Sequence, residues 1–155
     1  FRTRKQPSWT PPPVFFACVW STIAVLRGAS CTLLYNAVGG TFFSLPLLLY
    51  AAHLSFGDTF NEANNVSNRL GVGFSAVLCG WAAGWAAVWK FYEALPLAGL
   101  LLAPSLVWIS VAVVLIASIR RLNNDGGLET LYPNTLAGGG APVWRLPFAK
   151  LPSRE

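Results

Sequence analysis

Arg27 is the first residue that could do chemistry, because it is the only full charge between Pro11 and Phe56. The surrounding residues form an apolar stretch that is long enough to cross a membrane. A charged side chain at the centre of a membrane helix costs roughly 3 kcal/mol on insertion scales, so it needs a partner. That partner is either an anionic group of a ligand or lipid, or a group on another helix or subunit.

His53 is the only histidine of the chain. A neutral imidazole inside a membrane can bind the magnesium of chlorophyll or the iron of haem. No second ligand residue accompanies it, so the alternative is a histidine that is only hydrogen-bonded. His53 is therefore a candidate axial ligand of a pigment, and the hydrogen-bonded alternative stays open.

Tryptophans are the third feature, with seven in the chain. Trp81, Trp85 and Trp89 recur every four residues and form one ridge of a predicted helix. Such a ridge either packs in an interface belt or forms an aromatic wall for a flat ligand. The candidate ligand-binding residues are one arginine and five tryptophans: Trp9, Trp20, Arg27, Trp81, Trp85 and Trp108.

Motifs of known enzymes are absent from the sequence. We find no GxSxG, Walker loop, HExxH or Cys/His metal spacing. The three cysteines are interpreted as small apolar residues, and Asp58 and Glu62 lie in a polar segment that nothing encloses. We therefore predict a non-enzymatic protein without catalytic residues and without a metal site.

The elements that must position these residues are membrane helices. Soluble domains carry about 25% charged residues, whereas this chain of 155 residues has 11% charged and 54% hydrophobic residues. An all-α integral membrane bundle of about four transmembrane helices is predicted, because apolar runs of about 20 residues span a bilayer. The predicted spans are Val14–Tyr35, Thr41–Phe56, Val72–Trp89 and Pro96–Ile119. They make up a bundle of residues 14–123, between an N-terminal segment 1–13 and an extended Gly/Pro-rich C-terminal tail 124–155.

Basic residues flank the predicted spans and set their orientation. Six would lie on the side of both termini: Arg2, Arg4, Lys5, Arg69, Arg120 and Arg121. Only Lys90 would lie opposite, which by the positive-inside rule places both termini in the cytosol, matrix or stroma. The sequence has no basic face with interleaved aromatic residues of the kind that binds a phosphate backbone, so nucleic acid is excluded as a partner.

The C-terminal tail has no amphipathic period and should not form a packed domain. Four of its apolar residues are candidates for docking on a partner surface: Val143, Trp144, Leu146 and Phe148. Membrane lipid and other integral membrane subunits are the expected partners.

Several motifs in a fixed order carry a resemblance to a known family. The first is a PxWxPP segment at Pro7–Pro12, followed by Val19-Trp20 and Gly28. The later ones are Leu49-Tyr50, Phe91-Tyr92, Pro96-Leu97-Ala98, Leu100–Pro104, Trp108 and Arg121-Leu122-Asn123. Together they resemble the TspO/translocator-protein family over residues 7–123.

This resemblance implies a five-helix membrane protein, of which the chain would begin just before the second helix. It also implies binding of tetrapyrroles, sterols or similar hydrophobic molecules. Pocket positions differ from the family pattern, with Arg27 in place of Met and His53 in place of Gln. Further differences are Gly57, Phe60 and Ile116. The differences favour a retained fold with an altered ligand site.

Two functions follow as expectations. The favoured one is a non-enzymatic accessory subunit of a larger organellar, photosynthetic complex such as a photosystem, which bridges neighbours and holds pigments or lipids. Chlorophyll, carotenoid, haem or another tetrapyrrole would be its cofactor. The alternative is a TspO-like receptor or transporter. A start at Phe1 fits removal of a transit peptide, which favours a plastid thylakoid over a mitochondrial membrane.

Overall fold

The computed structural model describes residues 4–67 and 69–123, which form a helical bundle. Its helices are α1 (Pro13–Ala37), α2 (Leu45–Asn61), α3 (Leu70–Ala94) and α4 (Pro96–Asn123), with a π-helical turn at Glu62–Val66. Three of them, α1, α3 and α4, are long and apolar enough to cross a membrane. The predicted all-α membrane bundle is confirmed. The proposed docking residues Val143, Trp144, Leu146 and Phe148 lie outside the described residues.

The second helix lies later in the chain than the apolar run predicts. It begins at Leu45, and Pro46 occupies its first turn, where a proline needs no amide partner. It continues past Phe56 because polar residues there remain compatible with a helix, and the hydroxyls of Ser55 and Thr59 donate to carbonyls four residues back. The predicted span Thr41–Phe56 therefore begins and ends too early in the sequence.

Two turns behave as the sequence indicates. Gly39 and Gly40 join α1 to α2 with φ of 80° and 73°, a conformation that favours glycine. Between α3 and α4 only Leu95 leaves the helix, and Pro96 begins the next one. There Gly99 approaches the backbone of Tyr92 so closely that an added Cβ would lie 2.6 Å from the Tyr92 Cα.

The helices pack in the spatial order α2, α3, α4, α1. Two apolar clusters hold them together, one at each end of the bundle. The larger cluster centres on Leu34, Phe91 and Leu102, and the smaller one on Val77 and Ile116. The interior between these clusters is where the polar side chains described below are found.

Hydrogen bonds also fix the helix ends. The buried hydroxyl of Ser30 donates to the Ala98 carbonyl over 2.7 Å and joins α1 to α4. At the opposite end, the Asn123 amide exchanges two hydrogen bonds of 2.9 Å with the backbone of Lys5. Arg4 donates to the carbonyl and side chain of Asn64. The N-terminal segment, the α2–α3 connection and the end of α4 therefore share one side, as the topology predicts.

Candidate functional site

Three helices contribute to a polar layer in the interior of the bundle. Arg27 of α1 places its Nη2 3.1 Å from Nε2 of His53 on α2. The other ring nitrogen of His53, Nδ1, lies 2.7 Å from the carbonyl oxygen of Gly80 on α3. Arg27 and His53, which the sequence singled out separately, thus contact each other. We define Arg27, His53 and the Gly80 carbonyl as the arginine–histidine layer.

The hydrogen bonds of this layer determine the tautomer of His53. A carbonyl oxygen only accepts, so Nδ1 carries the proton and donates to Gly80. Guanidinium only donates, so Nε2 must present its lone pair to Arg27. Both ring nitrogens are therefore occupied. A pigment metal could bind Nε2 only if Arg27 withdrew, so this geometry disfavours axial ligation.

Small residues on α3 make room for the imidazole ring. A Cβ on Gly84 would lie 2.8 Å from Nδ1 of His53 and 2.4 Å from Cδ1 of Leu106. A Cβ on Gly80 would lie 3.2 Å from Cβ of Phe56. Glycines four residues apart on a helix let neighbouring helices approach closely. Here Gly80 approaches α2, and Gly84 approaches both α2 and α4.

Within the part of the chain that the structure describes, no carboxylate forms an ion pair with Arg27. In residues 4–67 and 69–123, His53 is its only hydrogen-bond partner, and its buried Nε has none. The Trp20 ring lies 6.0 Å from the guanidinium carbon, and Tyr50 and Cys31 are its other polar neighbours. The arginine–histidine layer therefore keeps a net positive charge.

The remaining tryptophans of residues 4–67 and 69–123 do not join this layer. Trp108 packs between Phe15 and Phe16 with ring centroids 5.6 Å away in each case. Trp81 donates to Ser110 over 2.8 Å, and Trp9 is exposed in the N-terminal segment. The structure thus separates the predicted aromatic wall into individual contacts instead of one enclosed cavity.

Trp85 lines a different feature, an open apolar groove of about 210 Å³ between α3 and α4. Trp89 and Tyr92 form its aromatic side, and Gly99 and Ala103 form its floor. The indole nitrogen of Trp89 donates to Glu93 over 2.8 Å at the end of α3. An apolar groove of this size on the outer surface fits part of a lipid chain.

Tyr50 and Gly80 are the members of the site that sequence reasoning did not select. Tyr50 precedes His53 by three residues, so the two share one face of α2 and their rings stack with centroids 6.0 Å apart. The helical spacing could have indicated Tyr50. A backbone carbonyl such as that of Gly80 leaves no comparable signal, because its availability depends on the neighbouring helix.

The bundle and its charged interior define an integral membrane protein with a candidate site for an anionic group. Comparison with known proteins assigns it further: the TspO/MBR family matches over residues 1–122. Translocator protein 2 of Mus musculus is 32% identical, over 84% of this chain and 80% of the relative. Protein CrtK of Rhodobacter capsulatus is 28% identical, over 77% of this chain and 75% of the relative. The tryptophan-rich sensory protein of Cereibacter sphaeroides is 26% identical, over 76% of this chain and 73% of the relative. The chain belongs to the TspO/MBR family.

Proposed function

We propose that this protein is a non-enzymatic membrane receptor or carrier for an apolar ligand with an acidic group, which Arg27 binds. The observation that supports the proposal is the charge of Arg27, which no carboxylate of the described residues compensates. Its one hydrogen-bond partner in the described residues is a neutral imidazole. An uncompensated charge inside a membrane marks a functional site by default, since its insertion cost is retained only where the charge is used.

The chemistry around Arg27 indicates a flat or chain-like carboxylate. Trp20 offers an aromatic face beside the guanidinium, and α1 is largely unburied around it, so a ligand can approach from the lipid. A tetrapyrrole carboxylate and a lipid acid both fit this description. The names of two relatives, translocator protein 2 and tryptophan-rich sensory protein, agree with a protein that binds or moves a ligand.

Replacing Arg27 tests the proposal. Protoporphyrin, which carries carboxylates, is titrated against the purified protein in micelles while tryptophan fluorescence is followed. We expect Arg27→Gln to weaken binding at least thirtyfold, because truncating one partner of a buried charge pair costs about 2–5 kcal/mol. The exposed charge of Lys90 provides the control variant Lys90→Gln, which should bind like the unaltered protein.

A second ligand makes the same experiment specific. Protoporphyrin dimethyl ester has the same ring but no carboxylate, so Arg27→Gln should leave its affinity unchanged. Equal binding of the free acid by Arg27→Gln and the unaltered protein would contradict a role of Arg27 as the acid-binding residue.

The second candidate function is the accessory subunit of an organellar, photosynthetic complex, which would hold chlorophyll, carotenoid or haem. The observation that favours it is the exposed outer face of α1, where Val25 is 73% exposed and a Cβ added to Gly28 would meet nothing within 4 Å among the described residues. Gentle extraction from the native membrane followed by a native gel tests it. Migration as a small unpigmented species would contradict this function.

A further inference from the structure

We propose that the Arg27–His53 pair adjusts its charge to its ligand by proton uptake at His53. A ligand with two carboxylates is bound together with one proton, and a ligand with one carboxylate is bound without a proton. This inference rests on the proposed function, because it concerns the same site. It names a role for His53 and a rule that distinguishes classes of anionic ligand.

The unliganded geometry requires a neutral His53. Its Nε2 accepts the hydrogen bond from Arg27 at 3.1 Å, and a proton on Nε2 would remove the acceptor. It would also place two cations in contact inside a weakly polarisable interior, where like charges repel strongly. Without an anion, the pair therefore carries one positive charge, which belongs to Arg27.

No other charged group contributes to this balance in the described residues. From α1 the titratable neighbours are Arg27 itself and Cys31, and from α2 the neighbour is Tyr50. On α3 the ring contacts the Gly80 carbonyl and lies beside Gly84, and neither residue has a titratable side chain. The charge of the site thus follows from Arg27, His53 and the bound ligand.

A buried site is most favourable when its charges sum to zero. One carboxylate neutralises Arg27, so His53 stays neutral. Two carboxylates leave one negative charge, which a proton from solvent on His53 Nε2 compensates. The ring needs no flip for this change, because Nδ1 already donates to the Gly80 carbonyl at 2.7 Å. Nε2 then becomes a donor and binds the second carboxylate directly.

The experiment compares two probes that differ by one carboxylate: an alkylmalonate and the alkanoate of the same chain length. Binding to the full-length protein in micelles is measured by calorimetry in two buffers of different ionisation enthalpy, which gives the number of protons taken up. We expect about one proton per alkylmalonate and none per alkanoate. Between a pH of about 9 and about 8, the affinity for the alkylmalonate should rise up to about tenfold, while that for the alkanoate stays constant.

His53→Gln is the matched variant. Its amide can donate to Gly80 and accept from Arg27, so the contacts of the resting site can form, but it takes up no proton near neutral pH. We expect His53→Gln to lose both proton uptake and pH dependence with the alkylmalonate. These readouts would not change if His53 had only a structural role.

The outcomes separate this inference from the proposed function. Binding of both probes without proton uptake, or proton uptake that persists in His53→Gln, overturns the inference and leaves the acid-binding function standing. Failure of the unaltered protein to bind either probe overturns the inference, and failure to bind protoporphyrin as well overturns both. Uptake of one proton with the alkylmalonate alone, lost in His53→Gln, supports both.

Discussion

Two helices of this protein carry the same pattern of small residues and use it differently. On α3, Ala76, Gly80 and Gly84 recur every four residues and are all buried. On α1, Ala24 and Gly28 follow the same spacing and are exposed, and an added Cβ on Gly28 would meet nothing within 4 Å. The pattern therefore indicates that a helix can be approached closely, and the neighbours decide whether it is.

The positions of the two helices explain this difference. In the spatial order of the bundle, α3 lies between α2 and α4, while α1 packs mainly on α4. A glycine ridge lets the backbones of two helices approach, which improves van der Waals contact inside a membrane. On α3 that approach also brings the Gly80 carbonyl to His53. The packed ridge thus serves the site, and the ridge on α1 faces outward.

Among alanine substitutions of glycine, Gly99→Ala should cause the largest loss of stability. An added Cβ would lie 2.6 Å from the Tyr92 Cα, a backbone atom that cannot rotate away. We expect a loss of about 3 kcal/mol in unfolding free energy, at the upper end for overpacking. Denaturation of the purified protein by dodecyl sulfate, followed by circular dichroism, measures it. An unchanged midpoint would show that the α3–α4 junction can open without cost.

Gly84→Ala should lower the unfolding free energy by a smaller amount, about 1–2 kcal/mol. The atoms that its Cβ would meet are the end of the Leu106 side chain and the His53 ring, both of which can shift. Displacement of His53 should also weaken its contact with Arg27 and reduce binding of an acidic ligand. The same denaturation assay, combined with a ligand titration, measures both effects. Normal stability with normal binding would contradict the close approach of α2 and α3.

Gly28→Ala should change the unfolding free energy least, and it should raise it slightly where the other two substitutions lower it. The site is open, and alanine favours a helix over glycine by up to about 1 kcal/mol. We expect equal or slightly higher stability in the denaturation assay. A marked loss would instead show that another helix packs on this face of α1 under the conditions of the assay. The contrast with Gly84→Ala, the same change on the other ridge, is the direct measure of the difference between the two helices.

The candidate site was only partly foreseeable. Arg27 and His53 are conspicuous because polar groups in apolar runs are expensive. Their contact joins residues 26 positions apart on different helices, and no periodicity reports the rotation of one helix relative to another. The tryptophans do lie on one ridge of α3, as their spacing predicts. The glycine ridge beside it packs on α2, however, which leaves Trp81 and Trp89 exposed.

The sequence by itself determined that the chain crosses a membrane, roughly where its helices lie and which side carries its basic residues. These properties follow from local hydropathy, from proline and glycine at helix ends, and from charge next to the membrane. Only the tertiary structure decided which small-residue ridge is packed, that His53 accepts from Arg27, and that the tryptophans of the described residues do not form one cavity. The reason is that these features depend on how the helices are rotated and packed against each other across the bundle. The order of residues along one helix does not contain that information.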